Sequence, residues 1–266
     1  MAKAYFDKAA LPMSSPSREQ ASLDEFRRFI YDSYTETHPA LGDHIRDDDV
    51  QRSWQLQVLL RGALPPGKDG PLLDFGCGDG LLLSVAEKLG YRRLSGVDSS
   101  ERLIEIASQR TSAELTAGDG LAFLKSKPTS TFETITAFDV FEHFTRPELL
   151  DACREIHRIL KPGGRLLIRV PNGASPFCGG VFAGDLTHER PYTLFSLAQV
   201  LAPLGFEDIQ ASELGPVRHG LKSTLRAILW SIMRAGAILW IAAETGVIRG
   251  HILSANIFVT ARKAAR

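Results

Sequence analysis

Residues Pro71–Gly80 read PLLDFGCGDG and run directly into LLLSVAEKLG. Leu72, Leu73 and Phe75 form a short apolar run bounded by Pro and Gly, as a buried parallel strand would. Leu81 to Leu89 carries helical apolar spacing, so the junction predicts a strand, a glycine turn and a helix. Gly76, Gly78 and Gly80 permit positive φ and lack the β-carbons that would keep a ligand from the backbone. The following helix presents unpaired N–H groups and the positive end of its dipole. A polar ligand is expected at this turn.

The spacing narrows the ligand. A dinucleotide fingerprint reads G-x-G-x-x-G with pyrophosphate on the helix terminus, whereas this turn reads D-x-G-x-G-x-G, with Asp74 before the glycines and Asp79 among them. Carboxylates there disfavour pyrophosphate and suit a ligand with amine and sulfonium charge. After the apolar LSGV comes Asp98, placed to accept both ribose hydroxyls, and the next strand ends in Asp119, placed to meet an adenine amine.

LLDFGCGDG, GVDSS, GDG, FETITAFDVFEHF and LKPGGRLLIRVPN follow one another in order from Leu72. The chain thereby resembles the class I S-adenosylmethionine-dependent methyltransferases. The resemblance implies S-adenosylmethionine as cofactor, with Asp74, Phe75, Gly76, Cys77, Gly78 and Gly80 around its amino-acid end. It implies Asp98 with Ser99 at the ribose, Asp119 and Gly120 at adenine, and Phe138 and Asp139 beside the sulfonium.

The expected fold class is α/β, a doubly wound Rossmann-like sheet of seven mostly parallel strands with an antiparallel last strand. Strands are predicted at Leu72–Phe75, Leu94–Asp98, Glu114–Ala117, Thr134–Phe138, Arg165–Val170, Glu207–Glu213 and Ile252–Ala261. Helices are predicted at Leu81–Leu89, Glu101–Gln109, Gly120–Lys125, Pro147–Leu160, Ser196–Leu204 and Lys222–Ala243. Residues 1–70 are read as a helical cap, with one helix after a Ser22/Glu25 capping box and another over Val50–Arg61. Tyr34, His38, His44 and Trp54 are its candidates for ligand contact. Residues 71–266 form the catalytic domain, with a helical insertion at about 216–250. Lys161 to Gly164, KPGG, reads as a turn into the fifth strand, and His157 reads as structural.

Methyl transfer to oxygen requires a place for the hydroxyl proton. His143, in DVFEHF past the fourth strand, and His188, in GDLTHERPYT past the fifth, are the candidate bases. Asp185 and Arg190 are candidates to hydrogen-bond a sugar hydroxyl, with Tyr192 as a stacking surface. Each has a plainer alternative: a hydrogen-bonded histidine shaping the site, or an Asp185–Arg190 ion pair ordering the loop. The reading requires no metal, because no well-spaced Asp and Asn set for an octahedral oxygen site is seen.

Three cysteines, Cys77, Cys153 and Cys178, show neither pairing nor metal spacing, and the N-terminus lacks a signal-peptide core, so a reducing cytoplasmic setting is expected. Formal charge is zero, but from Val217 onward Glu244 is the sole acid against eight Lys and Arg. In the insertion, Leu221, Leu225, Ile228, Leu229, Ile232 and Leu239 share a helical face flanked by Lys222, Arg226 and Arg234. Arg226 and Arg234 interrupt the apolar run short of a bilayer span. Peripheral contact with an anionic membrane through 221–243 and packing on the core or a second subunit both remain open.

DLTHERPYTLFSLAQVLAPLGFE is similar to the corresponding region of methyltransferases of bacterial surface-polysaccharide and lipopolysaccharide synthesis. The leading expectation is therefore O-methylation of a sugar hydroxyl on a surface glycan or its lipid-linked precursor. The alternatives are a small or lipid-like, quinone-type acceptor and a noncatalytic cofactor-binding partner protein. Nucleic acid is not an expected partner, since no N-P-P-Y type tetrad appears and the core is acidic.

Overall fold

The computed structural model describes residues 45–265, together with 23, 25–27, 29 and 30, which are helical. Ser22, Tyr34, His38 and His44 lie outside the described residues. Helix α1 (Ile45–Ala63) precedes β1 (Leu72–Phe75), α2 (Leu81–Lys88), β2 (Leu94–Asp98), α3 (Glu101–Ser108), β3 (Glu114–Ala117), α4 (Gly120–Ser126) and β4 (Phe132–Phe138). A 3-10 turn (Phe141–His143) leads to α5 (Arg146–Ile159), β5 (Leu160–Pro171), α6 (Gly179–Phe182), α7 (Leu194–Leu201), β6 (Phe206–Glu213), α8 (Leu221–Thr245) and β7 (Asn256–Lys263). Strand order is β3-β2-β1-β4-β5-β7-β6. Only β7 is reversed, antiparallel to both β5 and β6.

Alternating side chains divide the core into two layers, one on each face of the sheet. Leu73, Phe75, Ile135, Leu166 and Ile168 face the layer under α4, α5 and α7. Leu72, Phe138, Leu167 and Phe258 face the layer under α1 and α2, where Leu56, Leu60 and Ala63 of α1 are also buried. Strand order reverses between β1 and β4, which opens a crevice past their carboxyl ends.

Caps fix the helix starts. Thr145 and Glu148 make a full capping box at α5, and Thr193 and Ser196 make one at α7. His157 stacks edge-on against Phe206 at 5.0 Å and packs over Gly205, a structural placement. Two local expectations are corrected. KPGG is a turn inside β5 and not before it: Leu160 already pairs with Phe132, and the four residues bulge out, with Gly163 at φ 75, before Arg165 pairs with Thr134. Helix α6 was not expected, because GGVF carries no periodic signal.

Candidate active site

A cavity of about 500 Å³ lies past β1, β2 and β4. It is lined by Asp74 to Asp79, Asp98, Ser99, Asp119, Gly120, Phe138, Asp139 and His143, and from α1 by Arg52 and Leu56. Gly76, Gly78 and Gly80 all have positive φ. At Gly78 an added β-carbon would meet nothing within 4 Å, so the backbone itself forms open cavity wall there. Gly80 does not line the cavity. It precedes α2, and a β-carbon there would come within 2.8 Å of Ala107 on α3, so its role is close packing.

The carboxylates divide by their partners. Asp98 accepts the Gly78 N–H at 2.8 Å and the Ser100 N–H at 2.9 Å, locking the glycine turn to the end of β2. Burial raises its pKa against those two hydrogen bonds, and Asp79 adds to the rise. Asp74 is buried, accepts from the Thr136 hydroxyl at 2.6 Å, and is pushed up to about 7 by burial, with Asp98 and Asp79 adding repulsion. Asp79 is spent on Arg110 at 3.2 Å, Arg52 at 3.4 Å and the Leu81 N–H. Asp119 caps α4 through the Ala122 N–H. Asp139, at φ 56, is clamped by Arg169. Cys77 is buried and its thiol is pushed up by burial, so it is a small wall residue and not a nucleophile.

The acceptor end is organised by a hydrogen-bond chain. The Thr187 hydroxyl donates to Asp185 Oδ1 at 2.6 Å, and the Thr187 N–H reaches the same oxygen at 2.8 Å. With its one proton committed, the Thr187 oxygen accepts from His143 Nδ1 at 2.8 Å. His143 therefore carries its proton on Nδ1 and has Nε2 as its basic nitrogen. Burial and then neighbouring His188 lower the His143 pKa to about 4, so the ring is neutral at physiological pH.

His188 sits behind His143, ring centroids 4.7 Å apart, and is absent from the cavity wall. Its Nδ1–H donates to the Phe182 carbonyl at 2.9 Å. Glu142 is buried, one of its oxygens lacks a hydrogen-bond partner, and burial followed by the charge of Asp139 raises its pKa well above the usual range. Glu142, His143 and His188 bring one ligand atom each within 4.8 Å of one another.

Two proposed acceptor contacts are corrected. Tyr192 offers no stacking surface: it is buried in the core and its hydroxyl donates to the Phe141 carbonyl at 3.0 Å. Asp185 is buried and bonded within its own loop. Arg190 retains a buried Nε without a hydrogen-bond partner. Trp54 stacks on His219 at 6.2 Å and not on the cavity wall.

Sequence reasoning missed Arg27, Arg52, Arg169 and Thr187. Arg27 pairs with Glu148 at 2.8 Å, approaches Glu189 at 3.7 Å and donates to the His143 carbonyl. None of these arginines stands in a local pattern, since each partner is distant in sequence. Thr187 was legible only as the neighbour of His188.

The model of the methyltransferase domain family matches residues 46–211, more than half of the chain. This chain belongs to the class I S-adenosylmethionine-dependent methyltransferases. The methyltransferase is 28% identical over 160 residues to the demethylmenaquinone methyltransferase of Symbiobacterium thermophilum, covering 57% of this chain and 61% of that one. It is 29% identical over 119 residues to the ubiquinone biosynthesis O-methyltransferase of Xanthomonas campestris, covering 43% and 47%. The matches thus span less than two thirds of these relatives' own lengths. A solved methyltransferase from Archaeoglobus fulgidus superposes with a TM-score of 0.61 at 20% identity, covering 83% of this chain and all of that one.

The cavity fits the cofactor. Asp74 feels the charges of Asp98 and Asp79, and Asp98 that of Asp79, so acid–acid repulsion adds to the effect of burial, with Arg169 offsetting part of it at Asp74. A ligand carrying ammonium and sulfonium groups relieves that repulsion, whereas a pyrophosphate would add to it.

Proposed function

We propose that the enzyme methylates a hydroxyl oxygen of an apolar or lipid-attached, quinol-type acceptor, with His143 as the base. The observation that carries this is the Asp185–Thr187–His143 chain, which fixes the tautomer of an imidazole on the cavity wall and leaves Nε2 as its basic nitrogen. When bound, S-adenosylmethionine supplies the electrophilic methyl group. Asp74 with the 76–78 backbone would hold its amino-acid end, Asp98 its ribose, and Asp119 with Gly120 its adenine.

Neutral His143 accepts a hydrogen bond from the acceptor hydroxyl and so orients an oxygen lone pair. A base with a pKa of about 4 is weak toward an intact hydroxyl. It becomes adequate as the oxygen is alkylated and its proton grows strongly acidic, so proton transfer comes late. The residues around this end support an apolar acceptor. Phe177, Val181, Leu186 and Phe195, which flank or belong to the His188 loop, are exposed, while Asp185 and Tyr192 are committed to the fold. The similarity to a ubiquinone O-methyltransferase agrees with that reading. A lipid-linked sugar is the second reading, favoured by the unpartnered Nε of Arg190.

The test offers the enzyme and S-adenosylmethionine a catechol bearing a short isoprenoid tail, the same catechol without it, and a lipid-linked sugar, with mass spectrometry of each product. Methylation of the tailed catechol at the highest kcat/KM is expected. Methylation of the sugar alone would replace the quinol-type acceptor with a glycan.

A further inference from the structure

The 25-residue helix α8 carries more exposed large apolar side chains than any other described element. Its length and composition would suffice to cross a membrane, yet its inner face is taken up by the protein. Ser223 and Ala227 are buried, Trp230 packs over Gly215, and Arg234 turns inward to pair with Glu213 at 2.7 Å and to donate to the His251 carbonyl. This corrects the sequence expectation for Arg234, which does not flank the outer face. Of the two arginines that interrupt the run in sequence, Arg234 is neutralised on the protein side.

The opposite face is uninterrupted. Leu221, Leu225, Ile228, Leu229, Ile232, Met233, Leu239 and Trp240 are exposed by 50% to 88%. At 100° per residue they occupy one arc. Lys222, at one end, is the sole charge within that arc, and Val247 and Ile248 extend the apolar surface beyond the helix. An apolar surface of this extent marks an interaction site.

Charge identifies the partner. Arg218, Lys222 and Arg226 stand at the start of α8 and Arg249 just after its end, against the single acid Glu244. A second copy would bring the same net positive charge to the contact, whereas an anionic bilayer complements it. We propose that α8 lies flat on an anionic phospholipid surface, its outer face in the acyl boundary and its basic ends among the headgroups. The inner-face ion pair and packing keep the helix in the plane of the surface and prevent it from spanning. The docking site adjoins the catalytic cavity. Arg226 bonds Gln51 at 3.1 Å and His219 stacks on Trp54, both on α1, whose Arg52 and Leu56 line the cavity.

Flotation of the full chain with phosphatidylglycerol-containing vesicles and with phosphatidylcholine-only vesicles tests the proposal. The expected result is binding to the former, reduced at least about tenfold by Ile232→Glu/Leu239→Glu and by Lys222→Glu/Arg249→Glu, with weaker binding at high salt. Cofactor binding by calorimetry should be unchanged in both double variants, which shows that they are folded. Parent protein that ignores anionic vesicles overturns the proposal, as does binding indifferent to Ile232→Glu/Leu239→Glu. A lipid-free dimer that this variant dissociates, with no vesicle binding, assigns the face to a second copy instead. Parent protein that methylates a soluble catechol but ignores anionic vesicles would sink the surface alone. Vesicle binding without methylation of any hydroxyl would sink the acceptor reading alone.

Discussion

The two ends of the catalytic cavity are built on opposite rules. At the cofactor end, burial and then neighbouring carboxylates disfavour the charged forms of Asp74 and Asp98. At the acceptor end, Asp185, Thr187 and Tyr192 are engaged with the protein, and the Asp185–Thr187 bonds fix the tautomer of His143. A wall of disfavoured carboxylates recruits a charged ligand through its own instability. A loop whose carboxylate, hydroxyl and phenol are committed to the fold, with only the Arg190 Nε unpartnered among these polar groups, recruits little by polarity, and leaves selection of the acceptor to shape and apolar contact.

The sharpest way to break this contrast is at Asp98. Asp98→Ala removes both the expected ribose acceptor and the anchor of the Gly78 and Ser100 N–H groups. Calorimetry should show cofactor binding weakened by at least ~100-fold, as expected for hydrogen bonds to a charged group, while far-UV circular dichroism keeps the parent spectrum. At the acceptor end, His143→Ala should lower kcat by roughly 10²–10³ and leave cofactor affinity within about twofold. The kcat of the parent should stay level across neutral pH and decline only toward a pH of about 4.

The sheet was legible because its signals are local. Apolar runs mark β1, β2 and β4, and the glycine turn with its spaced carboxylates marks the cofactor end. At the acceptor end the expected His143 lines the cavity, while His188 stands behind it and the neighbouring residues were misread. Composition places Asp185, Arg190 and Tyr192 in one loop, but says nothing of whether the loop turns its polar atoms outward or inward. The bond from Tyr192 to the Phe141 carbonyl joins residues 51 apart, and Arg27 reaches Glu148 across 121. Such pairings arise only once the sheet brings distant segments together. For the same reason the sequence shows the composition of α8 but not which of its arginines faces inward.

Smaller effects sharpen the comparison. Asp74 is raised to about 7 in the folded chain from an ordinary 3.8, so its contribution to stability is full below the ordinary value and is lost as pH rises through 7. Asp74→Asn should therefore weaken cofactor binding yet stabilise the ligand-free protein relative to parent by about 2 kcal/mol more at pH 8 than at pH 5. Paired denaturant titrations at the two pH values measure this. Tyr192→Phe deletes one buried hydrogen bond and should lower stability by ~1 kcal/mol while leaving kcat unchanged, since the phenol has no contact with the acceptor in this reading. A chelator should have the smallest effect, none. If activity falls and a divalent cation restores it, then Glu142, His143 and His188 act as ion ligands, and the acceptor end too recruits by charge.

Asp139 shows what the fold gives up for its chemistry. A non-glycine residue at φ 56 carries a backbone cost of order 1–3 kcal/mol, and glycine would remove it. With aspartate, the tip of β4 gains a carboxylate that Arg169 can hold in one orientation. Asp139→Gly thus offers a variant whose backbone is more relaxed and whose melting temperature is not a guide to its competence. Selection for thermal robustness alone would draw this position away from the residue it carries.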